Sequence, residues 1–303
     1  MKILITGASG FVGQNLCKYL RSEAEEVFCL SLRNNEWENR LPDQADAIIH
    51  LAGKAHDTSN TSQSADYFKI NRDLTIQLFD WFLKADVKDF FYFSSVKAVA
   101  DTVEGILLED VIACPITPYG KSKLEAEQYL LSYVLPEGKR LFIIRPCMIH
   151  GPGNKGNLNL LYQVVQKGMP WPLAAFDNQR SFLGIDNLNY LIKQMLLNKN
   201  IQPGVYNFAD DNSISTKDLI SLIGITLGKN ARLWNIPVEF VKVAVKIGDL
   251  LPLPLNSERL KKLTESYVVS NSKVKKALGI DHLPSTVEQG LERTICSFKK
   301  NNF

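Results

Sequence analysis

The stretch Lys2-Ile3-Leu4-Ile5-Thr6-Gly7-Ala8-Ser9-Gly10-Phe11-Val12-Gly13 decides the fold. Its apolar run ends abruptly in glycine, the pattern of a short strand buried on both faces. Phe11, Val12, Leu16 and Leu20 then recur at helical spacing. The three glycines fall on the strand-to-helix turn. Gly7 permits the tight turn, Gly10 clears the backbone for a pyrophosphate, and Gly13 lets helix and strand pack closely. The first N–H groups of the helix and its positive dipole end are then free to meet phosphates. Three glycines alone describe any tight turn; a strand before and a helix after them predict dinucleotide binding.

Outward from this turn, further buried-strand runs occupy 26–31, 46–51, 90–94 and 140–145, with helical spacing at about 67–84 and 118–133. Alternating strands and helices predict an α/β fold, a Rossmann-type doubly wound parallel sheet with right-handed crossovers. About a dozen residues (33–45) link the second and third strands, too few for a full crossover helix, so that link should be abbreviated. After Gly151, Gly and Pro crowd the chain and the alternation stops. The expected division is a dinucleotide-binding domain over 1–150 and a smaller C-terminal α/β substrate domain over 151–303. The chain should return to the first domain around 183–210, and short helices are expected at 216–227, 257–264 and 272–278.

The end of the second strand reads Leu30-Ser31-Leu32-Arg33. An NAD site usually places a carboxylate there for the ribose 2′-hydroxyl. Here a hydroxyl stands in that place with a guanidinium nearby, and a guanidinium suits a 2′-phosphate. This favours NADP, with NAD as the alternative if Arg33 is simply a solvated loop residue.

A second constellation is Thr117-Pro118-Tyr119-Gly120-Lys121-Ser122-Lys123. Thr117 can cap a helix and Pro118 suits its first position. Tyr119 and Lys123 then share a face, and an ammonium beside a phenol lowers the phenol pKa towards the range of a general acid/base. Ser94-Ser95 ends the fourth strand, where side chains point into the ligand crevice of such sheets. Ser95 could bond the oxygen that gains or loses a proton. A lone Tyr-x-x-x-Lys is usually a surface pair; with the glycine turn and a strand-end serine the catalytic reading prevails.

Composition narrows the classes. Thirty-five Lys and Arg against 32 Asp and Glu give +3, which offers no basic surface for nucleic acid. At 45% hydrophobic and 22% charged, the chain is not mostly disordered. The cysteines at 17, 29, 114, 147 and 296 form no Cys-x-x-Cys pair and are odd in number, against a disulfide framework and for a reducing cytosol. No metal site is expected. The start lacks a signal-peptide pattern, and 236–255 carries Glu239, Lys242, Lys246 and Asp249, an amphipathic helix rather than a span. A soluble cytoplasmic protein without membrane contact is expected.

With these pieces in place the sequence resembles an extended short-chain dehydrogenase/reductase of the NAD-dependent epimerase/dehydratase family. The resemblance rests on TGASGFVG (6–13), DAIIHLAG (46–53), Ile70-Asn71, FSS (93–95), YGKSK (119–123), IIRP (143–146), GPG (151–153) and SNSKVKKALG (270–279). AGKAHD (52–57), SSVK (94–97), GNKGN (153–157) and NQRSF (178–182) are similar to a subgroup serving bacterial surface polysaccharides, with 4-epimerases and 4-keto-sugar reductases on UDP-linked N-acetyl sugars.

The resemblance implies roles. Tyr119 would be the acid/base, Lys123 its activator and a ribose ligand, and Ser95 the partner of the sugar O4. Gly7, Ser9, Gly10, Phe11, Val12, Gly13, Ser31, Arg33, Leu51, Ala52, Gly53, Asn71, Ser94 and Pro146 would contact the cofactor. Lys155, Asn157 and Arg180 would hold the diphosphate, with Lys97 facing either sugar or solvent. His150 stands where relatives often carry Tyr and reads as a packing residue, as does His50; His56 lies in the AGKAHD loop. Val96-Lys97 replaces the Asp-Glu pair of 4,6-dehydratases. The expected activity is hydride transfer at C4 of a UDP-hexose, as a 4-keto-sugar reductase; the alternatives are a UDP-sugar 4-epimerase and a non-catalytic dinucleotide binder. The family likeness also implies a homodimer.

Overall fold

The computed structural model describes residues 1–34, 36–42, 44–55, 63–154, 157–250 and 257–300. In chain order β1 (Lys2–Thr6) leads through the glycine turn to α1 (Phe11–Ser22), then β2 (Glu26–Leu30) and β3 (Ala47–His50). Among its described residues the short β2–β3 link contains a 3-10 turn, Trp37–Arg40, and no other helix. Next come α2 (Ser64–Tyr67), a π-helical turn (Phe68–Asp73), α3 (Leu74–Lys84), β4 (Asp89–Phe93), β5 (Ile106–Leu107), α4 (Pro118–Leu131), β6 (Arg140–Pro146) and β7 (Met148–His150). The remainder is α5 (Asn157–Gln166), β8 (Arg180–Gly184), α6 (Ile185–Leu197), β9 (Gly204–Phe208), β10 (Ser213–Ile214), α7 (Thr216–Leu227), α8 (Val238–Leu250), α9 (Ser257–Thr264), β11 (Val268–Val269), α10 (Ser272–Leu278) and α11 (Val287–Lys300).

Six strands form one sheet in the order β2-β1-β3-β4-β6-β9, every neighbouring pair parallel. The order reverses around β1 and β3, which opens a crevice beyond their carboxyl ends. The strands alternate their side chains between two cores. Ile3, Ile5, Ile49, Phe91, Phe93, Phe142 and Ile144 face one, covered by α1 and α6. Leu4, Ile48, Phe90, Tyr92, Leu141 and Ile143 face the other, covered by α3 and α4. Burial on both faces explains why these strands read as unbroken apolar runs.

A third core gathers later elements of the chain. Leu158 and Tyr162 of α5, Phe182 of β8, Leu219 and Ile223 of α7, Val241 of α8 and Leu291 of α11 meet there. The sequence predicts no elements at β5, β7, β10, β11, α5 or α11; all four of these strands have two or three residues, too few to show a period. Of the expected 236–255 helix, α8 covers Val238–Leu250, residues 236 and 237 precede it, and 251–255 lie outside the described residues. Among the described residues no helix is long and apolar enough to cross a membrane. All five cysteines are free thiols.

The start of α4 is locally determined. Thr117 Oγ1 accepts from the Gly120 N–H at 3.2 Å, and Pro118 occupies the first turn. A Cβ on Gly120 would lie 2.3 Å from the Lys97 carbonyl oxygen. Only glycine lets α4 approach the turn Val96–Ala98 so closely. Gly120→Ala is therefore expected to destabilise the fold by about 1–3 kcal/mol through overpacking, read as a lower midpoint in urea unfolding.

Candidate active site

The crevice holds a cavity of about 340 Å³. Gly7, Gly10, Phe11, Val12 and Gly13 line one side, and Leu51, Gly53, Lys54 and Ala55 after β3 line another. Phe93, Ser94, Ser95, Tyr119 and Lys123, with Pro146 at the end of β6 and Cys147 and Ile149 beyond it, close it. Lys54, Ala55, Phe93, Cys147 and Ile149 were not expected from sequence. Phe93 ends β4, Ile149 lies in β7, and the others lie in loops that leave the strands; fold position alone would have nominated them.

The glycine turn is built for close approach. A Cβ on Gly7 would meet the Ala52 backbone nitrogen at 2.6 Å, and one on Gly13 the Gly7 carbonyl oxygen at 2.3 Å. Gly7 also takes φ +70, a conformation that favours glycine. At Gly10, by contrast, a Cβ would meet only the Gly7 carbonyl oxygen, at 3.3 Å, so the missing side chain leaves room on the cavity side. Among the described residues no side chain caps the start of α1. Its first N–H groups are thus available to a ligand.

Opposite this turn, the Tyr119 phenol is hydrogen-bonded to Ser95. The Ser95 hydroxyl already accepts from the Lys97 N–H at 3.1 Å, which leaves its proton to point at the phenol oxygen. Tyr119 keeps part of its surface open to the cavity, but its hydroxyl lies deep, and burial raises its pKa; the Ser95 hydrogen bond opposes this. The Tyr67 ring stands edge-on to Tyr119 at 6.2 Å.

Lys123 departs from expectation. Its ammonium donates to the Phe93 carbonyl at 2.8 Å and lies 4.9 Å from the centre of the Tyr92 ring. It is not among the groups that shift Tyr119, so the expected lowering of the phenol by this ammonium is corrected: burial dominates and the shift is upward. Burial likewise lowers Lys123, to about 8, against the opposing pull of the Glu127 carboxylate.

Asn71 does not line the cavity. It sits in the π-helical turn, a device often found at functional positions. Its amide accepts from the Lys54 N–H at 2.7 Å and donates to the Lys54 carbonyl and to Ser122 Oγ, each at 3.1 Å. It ties the loop after β3 to α4. Ala52 and Ser9 lie on the two lining loops without facing the cavity. Ser31 and Arg33 follow β2, whose Leu30 pairs with Thr6, so they neighbour the glycine turn, exposed and outside the cavity wall.

Lys97 and Arg180 are brought together away from the lining residues. Lys97 donates to the Asp101 carbonyl at 2.8 Å and lies 4.1 Å over the Tyr267 ring. Burial lowers its pKa, Asp101 opposes this, and the Arg180 guanidinium adds to the lowering. Arg180 donates to the Glu265 carbonyl at 3.1 Å. Lys155, His56 and the Asn157 side chain lie outside the described residues. His50 bridges Thr6 and Thr75 hydroxyls in the core, and His150 Nδ1 pairs with Thr294.

Residues 3–209 match the NAD dependent epimerase/dehydratase family. The chain belongs to that family of extended short-chain dehydrogenases/reductases. Its relatives include a UDP-glucose 4-epimerase of Vibrio cholerae, 29% identical over 99% of this chain and 96% of that one. A GDP-6-deoxy-D-mannose reductase of Pseudomonas aeruginosa is 30% identical over 73% of this chain and 79% of its own. The fold is shared with the Pseudomonas aeruginosa protein RMD complexed with NADPH, at TM-score 0.76 and 21% identity, covering 99% of both chains. The family is one of enzymes that use NAD(P), and the uncapped helix start and cleared glycine backbone fit a dinucleotide pyrophosphate.

Proposed function

We propose that this chain is an NADP-dependent reductase of a 4-keto hexose carried on UDP. Residues 1–150 would hold the cofactor and 151–303 the nucleotide sugar. The observation that carries the reading is the Tyr119–Ser95 pair across the cavity from the glycine turn. The bound dinucleotide would supply a hydride to C4. Tyr119 then gives its proton to the developing O4 alkoxide, so the ketone becomes an alcohol, and Ser95 steadies that oxygen. A phenol raised by burial is held protonated at neutral pH, which suits an acid that donates first. An epimerase must begin with a base. Gly10 to Gly13 would cradle the pyrophosphate, and Arg180 with Lys97 would attract the sugar diphosphate.

The likeness to the Vibrio cholerae UDP-glucose 4-epimerase over almost the whole chain favours the second reading, a UDP-sugar 4-epimerase. Purified protein mixed with NADPH and a UDP-4-keto sugar separates the two. Stoichiometric loss of NADPH absorbance is expected. Interconversion of UDP-sugars without net NADPH loss would establish the epimerase. No chemistry with either substrate, alongside retained cofactor binding, would leave a binding module.

The Lys123 shift sets a pH dependence. An ammonium that reaches the cofactor ribose is charged below about 8 and neutral above it. NADPH affinity, read from its fluorescence, should therefore be steady below that pH and fall as pH rises through it.

A further inference from the structure

Three successive residues at the end of β4 each hold one residue of α4. The Phe93 carbonyl accepts from Lys123 at 2.8 Å, Ser94 Oγ donates to Glu127, and Ser95 bonds Tyr119. Tyr119, Lys123 and Glu127 are four residues apart, so they form one stripe on the helix. Two of these contacts belong to the reacting groups already described. The third does not, yet it is the most strongly built.

Glu127 is 1% exposed. Arg145 of β6 reaches its carboxylate with Nε at 3.0 and 3.1 Å and Nη2 at 2.5 Å. Arg145 also donates to the Glu109 carbonyl at 3.3 Å, and the Ser94 N–H donates to the Ile144 carbonyl at 2.8 Å. A buried ion pair contributes little net stability compared with apolar packing, so stability alone gives a poor reason for charge here. Its place does: Glu127 joins β4, β6 and α4 immediately beneath the reacting residues.

We propose that Glu127 is a positioning residue for the reaction, locking the β4 end to the catalytic face of α4 and standing one helical turn from Lys123 as its counter-charge. Its meaning for turnover rests on the reading under Proposed function. The charged and titratable groups facing Lys123 are few among the described residues. Glu127 lies on its own helix, Tyr92 on β4 and the neutral His50 on β3, with Arg145 of β6 behind Glu127. Burial pushes His50 down to about 3, so it carries no charge at working pH. Glu127 is thus the anion that offsets the cost of burying this ammonium.

The test is a titration of Lys123 by NMR of isotope-labelled lysine Cε in cofactor-free protein, with the resonance assigned by its absence in Lys123→Met. In Glu127→Gln the nearest anion is gone and the Arg145 charge is unopposed. Both changes disfavour the ammonium, so Lys123 should titrate lower by about one pH unit or more. The alkaline limb of kcat should move down with it, and Glu127→Asp should restore most of both. A merely structural role would lower the melting temperature without moving either. Should Glu127→Gln not fold, Glu127→Gln with Arg145→Gln leaves no orphaned guanidinium, and Lys123 should still titrate below wild type. A folded variant in which Lys123 titrates as in wild type overturns the proposal. The titration needs no substrate or cofactor, so failure of the redox reading is seen separately, as wild-type protein that consumes no NADPH.

Discussion

Tyr119→Phe is expected to lower kcat by about 10²–10⁴-fold while NADPH affinity stays within a few-fold of wild type. The size follows from removing one positioned proton donor and nothing else. The phenylalanine ring keeps the edge-on contact with Tyr67, so the pocket wall survives. Ser95 loses its phenol partner but still accepts from the Lys97 N–H, and the cavity can supply water in the phenol's place. Lys123 is held by the Phe93 carbonyl and the Tyr92 ring, neither of which changes, so the ribose side of the site should be undisturbed. Stopped-flow mixing with a UDP-4-keto sugar separates chemistry from binding. Full activity in this variant would show that another group moves the proton. A parallel loss of NADPH affinity would instead mean that the phenol serves the cofactor.

The legible parts of the site are those that chemistry confines to one short segment. TGASGFVG must be contiguous because one turn wraps one pyrophosphate, and Tyr119 to Lys123 because one helical turn presents both side chains. The parallel sheet was legible for a related reason: burial on both faces leaves strands such as Ile3 to Ile5 and Phe90 to Phe93 without polar interruption. What sequence did not reveal is assembled across distance. Glu127 of α4, Arg145 of β6 and Ser94 just after β4 were not linked by any sequence pattern, and Glu127 alone reads as an ordinary surface type. The direction of the Tyr119 shift also depends on distance, since sharing a helix face with Lys123 does not place the ammonium at the phenol when Phe93 offers it a carbonyl. The surroundings of Lys97 were not legible either, because the Tyr267 ring that its ammonium lies over comes from far along the chain.

Combining Ser31→Asp with Arg33→Ala is expected to shift the ratio of NADPH to NADH affinity towards NADH by about 10²–10⁴-fold. Leu30 pairs with Thr6, so residues 31–33 leave the sheet beside the glycine turn, where a ribose joined to that pyrophosphate would lie. The Arg33 N–H donates to Ser31 Oγ at 3.5 Å, a local turn that keeps the two residues together. An exposed ion pair is ordinarily worth under about 1 kcal/mol, which would give a ratio change of only a few-fold. A guanidinium gripping a phosphate through charge-assisted hydrogen bonds is worth about 1.5–3 kcal/mol, or roughly 10–100-fold. The new carboxylate adds a second effect of similar size, by accepting from the NADH ribose and repelling the 2′-phosphate. Arg33→Ala alone should therefore weaken NADPH about tenfold or more, leave NADH nearly unchanged, and flatten the salt dependence of NADPH binding, because Arg33 is exposed and its charge is screened. Equal weakening of both cofactors would show that Arg33 shapes the turn without reading the phosphate. No change in either would place the 2′-phosphate elsewhere, and the preference for NADP would then lose its physical basis in this chain.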